Sequence, residues 1–383
     1  MLRTSEHVPV ERASRPRRGI AAVPPRDETG GEPDRRRGRF SFGEGRNVWR
    51  VTRARRAAVL VDAADYFCAL RAALIAAERS IVIVGWDIDS RTRLLGPSCV
   101  ADDGLPETLG PFLDALVARR PELTVRLVLW DFSVLYSLER ELSPEFALQW
   151  RTSSQIELCL DDEIPTGSAH HQKIVVVDDR IAFSGGLDLT VRRWDTSEHR
   201  LDNPDRVDPA GVAYAPFHDV QMMVDGPAAS ALAELAAERW RRVSGETPPP
   251  AGLGDGGWPE TVTPDLTDID IGIARTWPRF RDEAEVREVE ALFDDMIGAA
   301  ERSIYIENQF LTAAGIAERL TGALQENPCL EAVLVVPRTH HTWLEQKTML
   351  AGRIRFRAIL EQAGIMERVR LSMATKPCSS TPR

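Results

Sequence analysis

Cysteine is scarce in this chain. There are five in 383 residues, Cys68, Cys99, Cys159, Cys329 and Cys378, widely scattered and without a CxxC pair. That excludes a disulfide-stapled scaffold and the usual zinc-binding spacings, and it fits reduced thiols in a reducing compartment. Long apolar runs are missing as well. The best stretch, 57–77, is interrupted by Asp62, Asp65 and Arg71, short of the ~18 uninterrupted apolar residues of a membrane-spanning helix. No apolar core of a secretory signal stands near the N-terminus, so a cytoplasmic protein is expected. Nor is there an excess of positive charge: 48 basic against 58 acidic residues give a net −10. The balance is uneven. Residues 1–47 carry 11 Arg and 7 acids, a net +4, which leaves a body of net −14. An acidic body disfavours a bulk nucleic-acid binder, whose affinity comes mainly from neutralising phosphates.

What is present is ordinary globular composition, 43% hydrophobic and 28% charged, in a chain long enough for two domains or one duplicated one. Residues 1–47, rich in Arg, Pro, Gly and Glu and aperiodic, read as a disordered leader; its Arg35-Arg36-Arg37-Gly38-Arg39 cluster could touch anionic lipid or nucleic acid, although a solvated tail is the plainer reading. From Val48 an alternating pattern begins. Asp62 reads as a helix N-cap ahead of Phe67, Leu70, Leu74 and Ala77 at helical spacing, and Ile81–Gly85 reads as a strand. The pattern repeats as a helix over 111–120 and a strand over 124–130. Continuous apolar strands of this kind are buried on both faces of a sheet. A breaker-rich stretch, 245–258, holds Pro248-Pro249-Pro250.

Beyond it the plan restarts. Asp282 and Glu285 have capping-box spacing, and Val286, Val289, Phe293, Met296, Ile297 and Ala300 read as the buried stripe of a helix. Ala76-Ala77-Glu78-Arg79-Ser80-Ile81 then recurs letter for letter as Ala299-Ala300-Glu301-Arg302-Ser303-Ile304, again between a helix and a strand. A helix over 313–326 and strands over 330–336 and 369–373 continue the parallel, which points to an internal duplication. The expected organisation is a leader over 1–47, a first repeat over 48–245, a linker over 246–280 and a partial second repeat over 281–383.

The densest polar constellation follows Ala169: His171 and Lys173 two apart, the β-branched run Ile174 to Val177, then Asp178, and after six intervening residues Gly185-Gly186-Leu187-Asp188. A spacing of two at a strand mouth sets His171 and Lys173 side by side on one face. A neutral imidazole can attack phosphorus while a lysine holds the oxygens on which charge develops, so the pair suits phosphoryl transfer. Asp178 reads as an orienting acid at the strand's end, with the Gly185-Gly186 turn bringing Asp188 back towards it. Weaker candidates are Asp87 and Asp89, two apart after Trp86, which could ligate a cation although strand-end hydrogen bonding accounts for them equally well. The pair His340-His341 reads as surface, and His7 and His199 have no telling context.

This stretch resembles the HxKxxxxD motif of the phospholipase D superfamily, in the Gly-Gly-x-Asp form found in the large eukaryotic enzymes and their bacterial relatives. Arg193-Trp194-Asp195, Pro216-Phe217-His218-Asp219-Val220 and Ile304-Tyr305-Ile306-Glu307-Asn308-Gln309-Phe310 resemble further segments of that family, and together they cover about 47–364. The resemblance implies an α/β sandwich of sheet and helices in two repeats, the second incomplete. It implies His171 as the nucleophile that becomes phosphohistidine, Lys173 as phosphate ligand and Asp178 as orienting acid. Asp188, Gly186, Glu307, Asn308 and Gln309 would line the substrate cleft, with His218 a candidate to approach it. Polar groups at a strand end also serve as turn caps, so Glu307, Asn308 and Gln309 admit that role too. No cofactor and no catalytic metal are implied.

The function implied is hydrolysis of phospholipid headgroups to phosphatidic acid at a membrane surface, with no nucleic acid expected. The alternatives are a phosphatidyltransferase of the cardiolipin synthase kind, a nuclease of the same superfamily, or an inactive phosphate- or lipid-binding remnant. The family builds one site from two motifs, and this sequence shows one. His171 follows strand 156–160 by 11 residues, and the same register after strand 369–373 would set a second histidine at about position 384. The expectation is a second repeat without its motif, and impaired turnover.

Overall fold

In the computed structural model, residues 40–131, 153–165, 168–251, 256–337 and 343–374 are described, and all of them fall within one compact unit, Arg35–Arg383. Its larger part is a mixed eight-stranded sheet in the order β4-β3-β2-β5-β6-β7-β1-β8. The strands are β1 (Arg50–Val61), β2 (Ser80–Gly85), β3 (Thr124–Trp130), β4 (Ile156–Asp161), β5 (Ile174–Val177), β6 (Ile181–Gly185), β7 (Val220–Asp225) and β8 (Leu266–Ile273). β2, β3 and β4 run parallel, while β5 joins β2 antiparallel and the remaining neighbours are antiparallel.

The alternation within each strand decides where the helices sit. Ile81, Ile83, Val125, Leu127, Val175, Val177 and Phe183 pack into a core with α1 (Asp62–Ala76) and α2 (Leu109–Arg119). Val82, Val84, Val128, Ile174, Val176 and Ala182 face the opposite way, onto α3 (Pro227–Ser244). Both faces are covered, which is why the strands read as unbroken apolar runs. At ~25 cal/mol per Å² of apolar surface, this two-sided burial is the main force holding β5 and its flanking residues in place.

The smaller part is a parallel sheet of β11 (Ser303–Glu307), β12 (Glu331–Pro337) and β13 (Val369–Ala374), in that order, with α4 (Glu288–Ala299), α5 (Ala314–Glu326) and α6 (Trp343–Gln362). The two copies of the six-letter repeat do the same work. Ala77 and Ala300 close their helices, and the carbonyls of Arg79 and Arg302 accept from Thr124 and Glu331 at 2.9 and 3.0 Å. Ser80 pairs with Thr124 and Ser303 with Glu331, so both units start in one register. In the first unit β5 lies on the other edge of β2. Among the described residues no strand lies on the corresponding edge of β11.

Several local expectations are corrected. The 246–280 stretch contains β8, which pairs along β1 from Arg50↔Ile273 to Ala57↔Leu266, so its segment 266–273 belongs to the first sheet rather than to a linker. Asp282 and Glu285 cap nothing: β9 (Thr276–Trp277) and β10 (Val286–Arg287) form a short antiparallel pair, and α4 begins only at Glu288. On α4, Ile297 is buried while Phe293 and Met296 are 38% and 55% exposed, so the stripe is narrower than its spacing suggested. Asp62 is the first residue of α1 with φ +67°, and no side chain caps that helix; its carboxylate is engaged elsewhere. No helix among the described residues is long and apolar enough to cross a membrane.

Candidate active site

β5 carries the motif through the middle of the sheet and delivers its two ends to different places. At its C-terminal end Asp178 and Asp179, with φ +51° and +56°, form the tight turn into β6, a conformation that aspartate tolerates better than most residues. The Asp178 carboxylate accepts the backbone N–H groups of Glu78, Arg79 and Ser80 at 2.7, 2.7 and 2.8 Å. It thereby ties the motif strand to the turn between α1 and β2. Asp178 thus stands one full strand away from His171 and Lys173.

At the N-terminal end the adjacent histidines diverge. His170 turns inward: its Nδ1 lies 3.1 Å from Asp161 Oδ2 at the end of β4, its Nε2 lies 3.2 Å from Gln172 Oε1, and Arg239 of α3 pairs with the same Asp161. His171 turns outward into a cleft, 6.0 Å from the Trp86 ring. The cleft walls and then the charge of Lys173 lower its pKa to about 4, although the ring's open side meets water. The imidazole is accordingly uncharged at ordinary pH.

Lys173 is buried, with Nζ 2.9 Å from Asp188 Oδ2 and 6.0 Å from the Trp86 centroid. Burial lowers its pKa and Asp188 opposes that shift. Asp188 also accepts from the backbone N–H groups of Trp86 and Asp87 at 2.9 and 3.3 Å, which ties it to the end of β2. The expected return of Asp188 towards Asp178 is therefore corrected. The antiparallel register pairs Ile174 with Ser184, so the residues after β6 arrive at Lys173. Gly185-Gly186 is a close-approach site: a Cβ on Gly186 would stand 2.1 Å from Asp219 Oδ1, and one on Gly185 would stand 2.4 Å from the Val220 carbonyl oxygen.

Around this pair lie groups that the sequence did not single out for a role in the cleft. Trp86 flanks both His171 and Lys173. Arg193, stacked 5.0 Å from the Phe217 centroid, adds a positive charge felt by both. Asp219 lies against Gly186, where burial raises its pKa while Lys173, His218 and Arg193 oppose the rise. The pattern of Arg193 and Asp219 inside the Arg-Trp-Asp and Pro-Phe-His-Asp segments was the available signal.

The remaining candidates are distributed unevenly. Glu307, at the end of β11, lies 3.2 Å from His218 Nε2 and so reaches the first half. Asn308 instead caps its own turn, accepting from Phe310 and Leu311 at 2.9 and 2.8 Å. The Gln309 carbonyl accepts from Arg353, and its side chain is exposed. Asp87 accepts from the Thr190 hydroxyl while Asp89 pairs with Arg91, so the two carboxylates serve separate partners. His7 and His340-His341 lie outside the described residues.

His218 Nδ1 sits 2.7 Å from the buried Asp62 Oδ1, and chiefly that hydrogen bond raises its pKa to about 9. His199 packs edge-on against His218 with centroids 5.2 Å apart. It is held by Asp195 Oδ2 at 3.2 Å, while Arg206 Nη1 pairs with Asp195 Oδ1 at 2.9 Å.

A histidine and a lysine thus meet at the mouth of a buried strand of a mixed α/β sheet, with Arg193 adding positive charge beside them. The phospholipase D family model matches residues 73–251, the region that builds this cleft. That region of the chain belongs to the phospholipase D superfamily. It is 25% identical to phospholipase D1 of Saccharomyces cerevisiae over 348 residues, 73% of this chain and 20% of that protein. It is 26% identical to phospholipase D delta of Arabidopsis thaliana over 361 residues, 64% of this chain and 40% of that one. The chain therefore spans between a fifth and two fifths of these relatives' length. Phosphatidylserine synthase of Haemophilus influenzae aligns over 84% of this chain and 73% of its own, with a TM-score of 0.49 and 9% identity.

Proposed function

We propose that this chain carries a phospholipase D-type phosphodiesterase site, with His171 as nucleophile and Lys173 and Arg193 as the cationic clamp on the phosphoryl oxygens. The observation that carries the reading is the buried Lys173–Asp188 pair beside an outward, neutral His171. An imidazole nitrogen of His171 bonds to phosphorus, the bond from phosphorus to the headgroup oxygen breaks, and that oxygen takes a proton from water as it leaves. Water then cleaves the P–N bond and restores the histidine. Lys173, held in place by Asp188, keeps its charge where negative charge builds on the phosphoryl oxygens, with no reorganisation needed at the moment of reaction. Asp178 acts through the backbone as a positioning residue, and Gly186 gives Asp219 its place beside the cleft.

The substrate class proposed is a phospholipid presented at a membrane surface, reached peripherally. Water as acceptor gives phosphatidic acid, whereas an alcohol acceptor makes the chemistry a phosphatidyl transfer. The net −14 of residues 48–383 argues against a polyphosphodiester substrate. The test is capture of the first half-reaction: incubation with phosphatidylcholine labelled in the phosphatidyl group, quenching, and mapping of label on the protein. Label on His171, absent from His171→Ala, with stoichiometric choline release, supports the reading. Unlabelled protein together with nicking of plasmid DNA overturns it in favour of a nuclease.

A further inference from the structure

Beside the cleft lies a second cluster for which the proposed chemistry has no use. Asp62, His199 and His218 each offer a donor atom, and these atoms lie within 4.8 Å of one another. They come from three places: the first residue of α1, the loop after the motif, and the approach to β7. We propose that Asp62, His199 and His218 form a binding site for a borderline divalent cation of the zinc class, with Asp195 and Glu307 as its outer carboxylates.

The geometry supplies the argument. The Asp62 side chain is fully buried, and its Oδ2 has no hydrogen-bond partner among the described residues. A buried carboxylate oxygen left in that state is costly unless a positive charge meets it. What faces it is His199 Nε2, 3.4 Å away. His199 gives its other ring nitrogen to Asp195, so in the neutral ring Nε2 presents a lone pair to Asp62. Two electron-pair donors therefore point at one spot. Ligands at about 2.0–2.2 Å from a tetrahedral ion lie about 3.3–3.5 Å apart, which matches this separation.

His218 supplies the third donor through Nδ1 once the proton it shares with Asp62 Oδ1 is displaced, so ion binding releases a proton. Its present 2.7 Å contact with Asp62 Oδ1 must open by roughly 0.6–0.8 Å to admit an ion, a modest rotation for a ring that is 42% exposed. Each imidazole also has its outer carboxylate. Asp195 holds His199 Nδ1 and is itself fixed by Arg206 and by the Thr196 and Phe217 N–H groups. Glu307 holds His218 Nε2 at 3.2 Å. A carboxylate behind each ligating histidine is the arrangement that fixes tautomer and ring direction at metal centres. Two imidazoles and one carboxylate leave a coordination position open, as in sites where the ion can also take a ligand from solution. Through Glu307 the ion would draw the end of β11 towards the first sheet.

The experiment uses the full chain, stripped of metal by chelator and titrated with Co2+ as spectroscopic probe and with Zn2+ by calorimetry. One equivalent should bind, with the intense visible absorption of a four-coordinate Co2+ centre, and Zn2+ should displace it. His199→Gln and His218→Gln should each abolish the band. Asp195→Asn and Glu307→Gln should weaken binding about 10- to 100-fold, and His171→Ala should leave it unchanged. Thermal melting of each variant without metal verifies folding, and Glu307→Gln, at an exposed residue, keeps the test informative if His199→Gln does not fold. Absence of the band, or its persistence in a folded His199→Gln/His218→Gln double variant, overturns the proposal.

Discussion

Asp178→Ala separates a positioning role from a chemical one. The wild-type carboxylate takes three backbone N–H groups within 2.8 Å. A hydrogen bond to a charged group is worth about 1.5–3 kcal/mol, and a buried donor left unpaired costs about 1–3 kcal/mol. Ser80 is buried, whereas Glu78 and Arg79 are exposed, so water can replace two of the three bonds in part. The expected net loss is about 3–5 kcal/mol, a large share of a typical 5–15 kcal/mol. For a unit of this size that lowers the melting temperature by roughly 5 °C. Asp178→Asn should lose about half as much, because its amide keeps one acceptor oxygen but turns a donor towards a donor. Chemical denaturation gives the stability, and labelling of His171 per folded molecule gives the chemistry. The reasoning predicts a lowered unfolding midpoint with the labelling rate changed by less than tenfold. A variant as stable as wild type that has lost labelling would refute it and put Asp178 in the reaction.

Gly186→Ala should be damaging in the opposite pattern: its Cβ meets the Asp219 carboxylate at 2.1 Å, so about 1–3 kcal/mol of stability and most of the labelling should be lost. Gly315→Ala in α5, where nothing lies within 4 Å, should be neutral or stabilising by up to about 1 kcal/mol; equal effects of the two changes on melting and labelling would discredit the close-approach account. On pH, His171 is lowered to about 4 from the usual 6.5, so labelling should hold as pH falls through 6.5 and decline only near 4. Over the same interval the unfolded chain takes up a proton that the folded chain refuses, so this group's contribution to stability is present above 6.5 and is lost as pH falls towards 4. An acid limb of the pH–rate profile centred near 6.5 would show an ordinary solvated histidine.

Much of this was legible because it rests on local periodicity. The apolar strand at 124–130 and the helix beginning near 314 announce themselves by spacing, and the motif residues by their joint pattern. What stayed hidden depends on partners distant in sequence. Asp62 looks like a cap because it precedes a helical stripe, yet its φ of +67° and the imidazoles of His199 and His218 come from tertiary packing. β8 was obscured by the prolines before it and by Asp268 and Asp270 on its exposed face; β1 selects it through Ile269, Ile271 and Ile273. Phe293 and Met296 have core spacing, and no local rule tells which side of α4 the sheet will take. His170 and His171 are indistinguishable as letters, and only Asp161 at the end of β4 decides which of them is anchored.

The position of β1 between β7 and β8 sets a timetable for synthesis. Arg50 waits for Ile273 and Ala57 for Val224, so the earliest strand of the sheet gains its neighbours only after some two hundred further residues have been added. At ~5–20 residues per second that is on the order of 10–40 s with both edges of a twelve-residue strand unpaired. Such an interval is long enough for a holdase, or the β7 of a neighbouring nascent chain, to reach β1 first. Yield of this protein in cells should therefore depend on translation speed across β7 and β8 more than on the equilibrium stability of the finished fold.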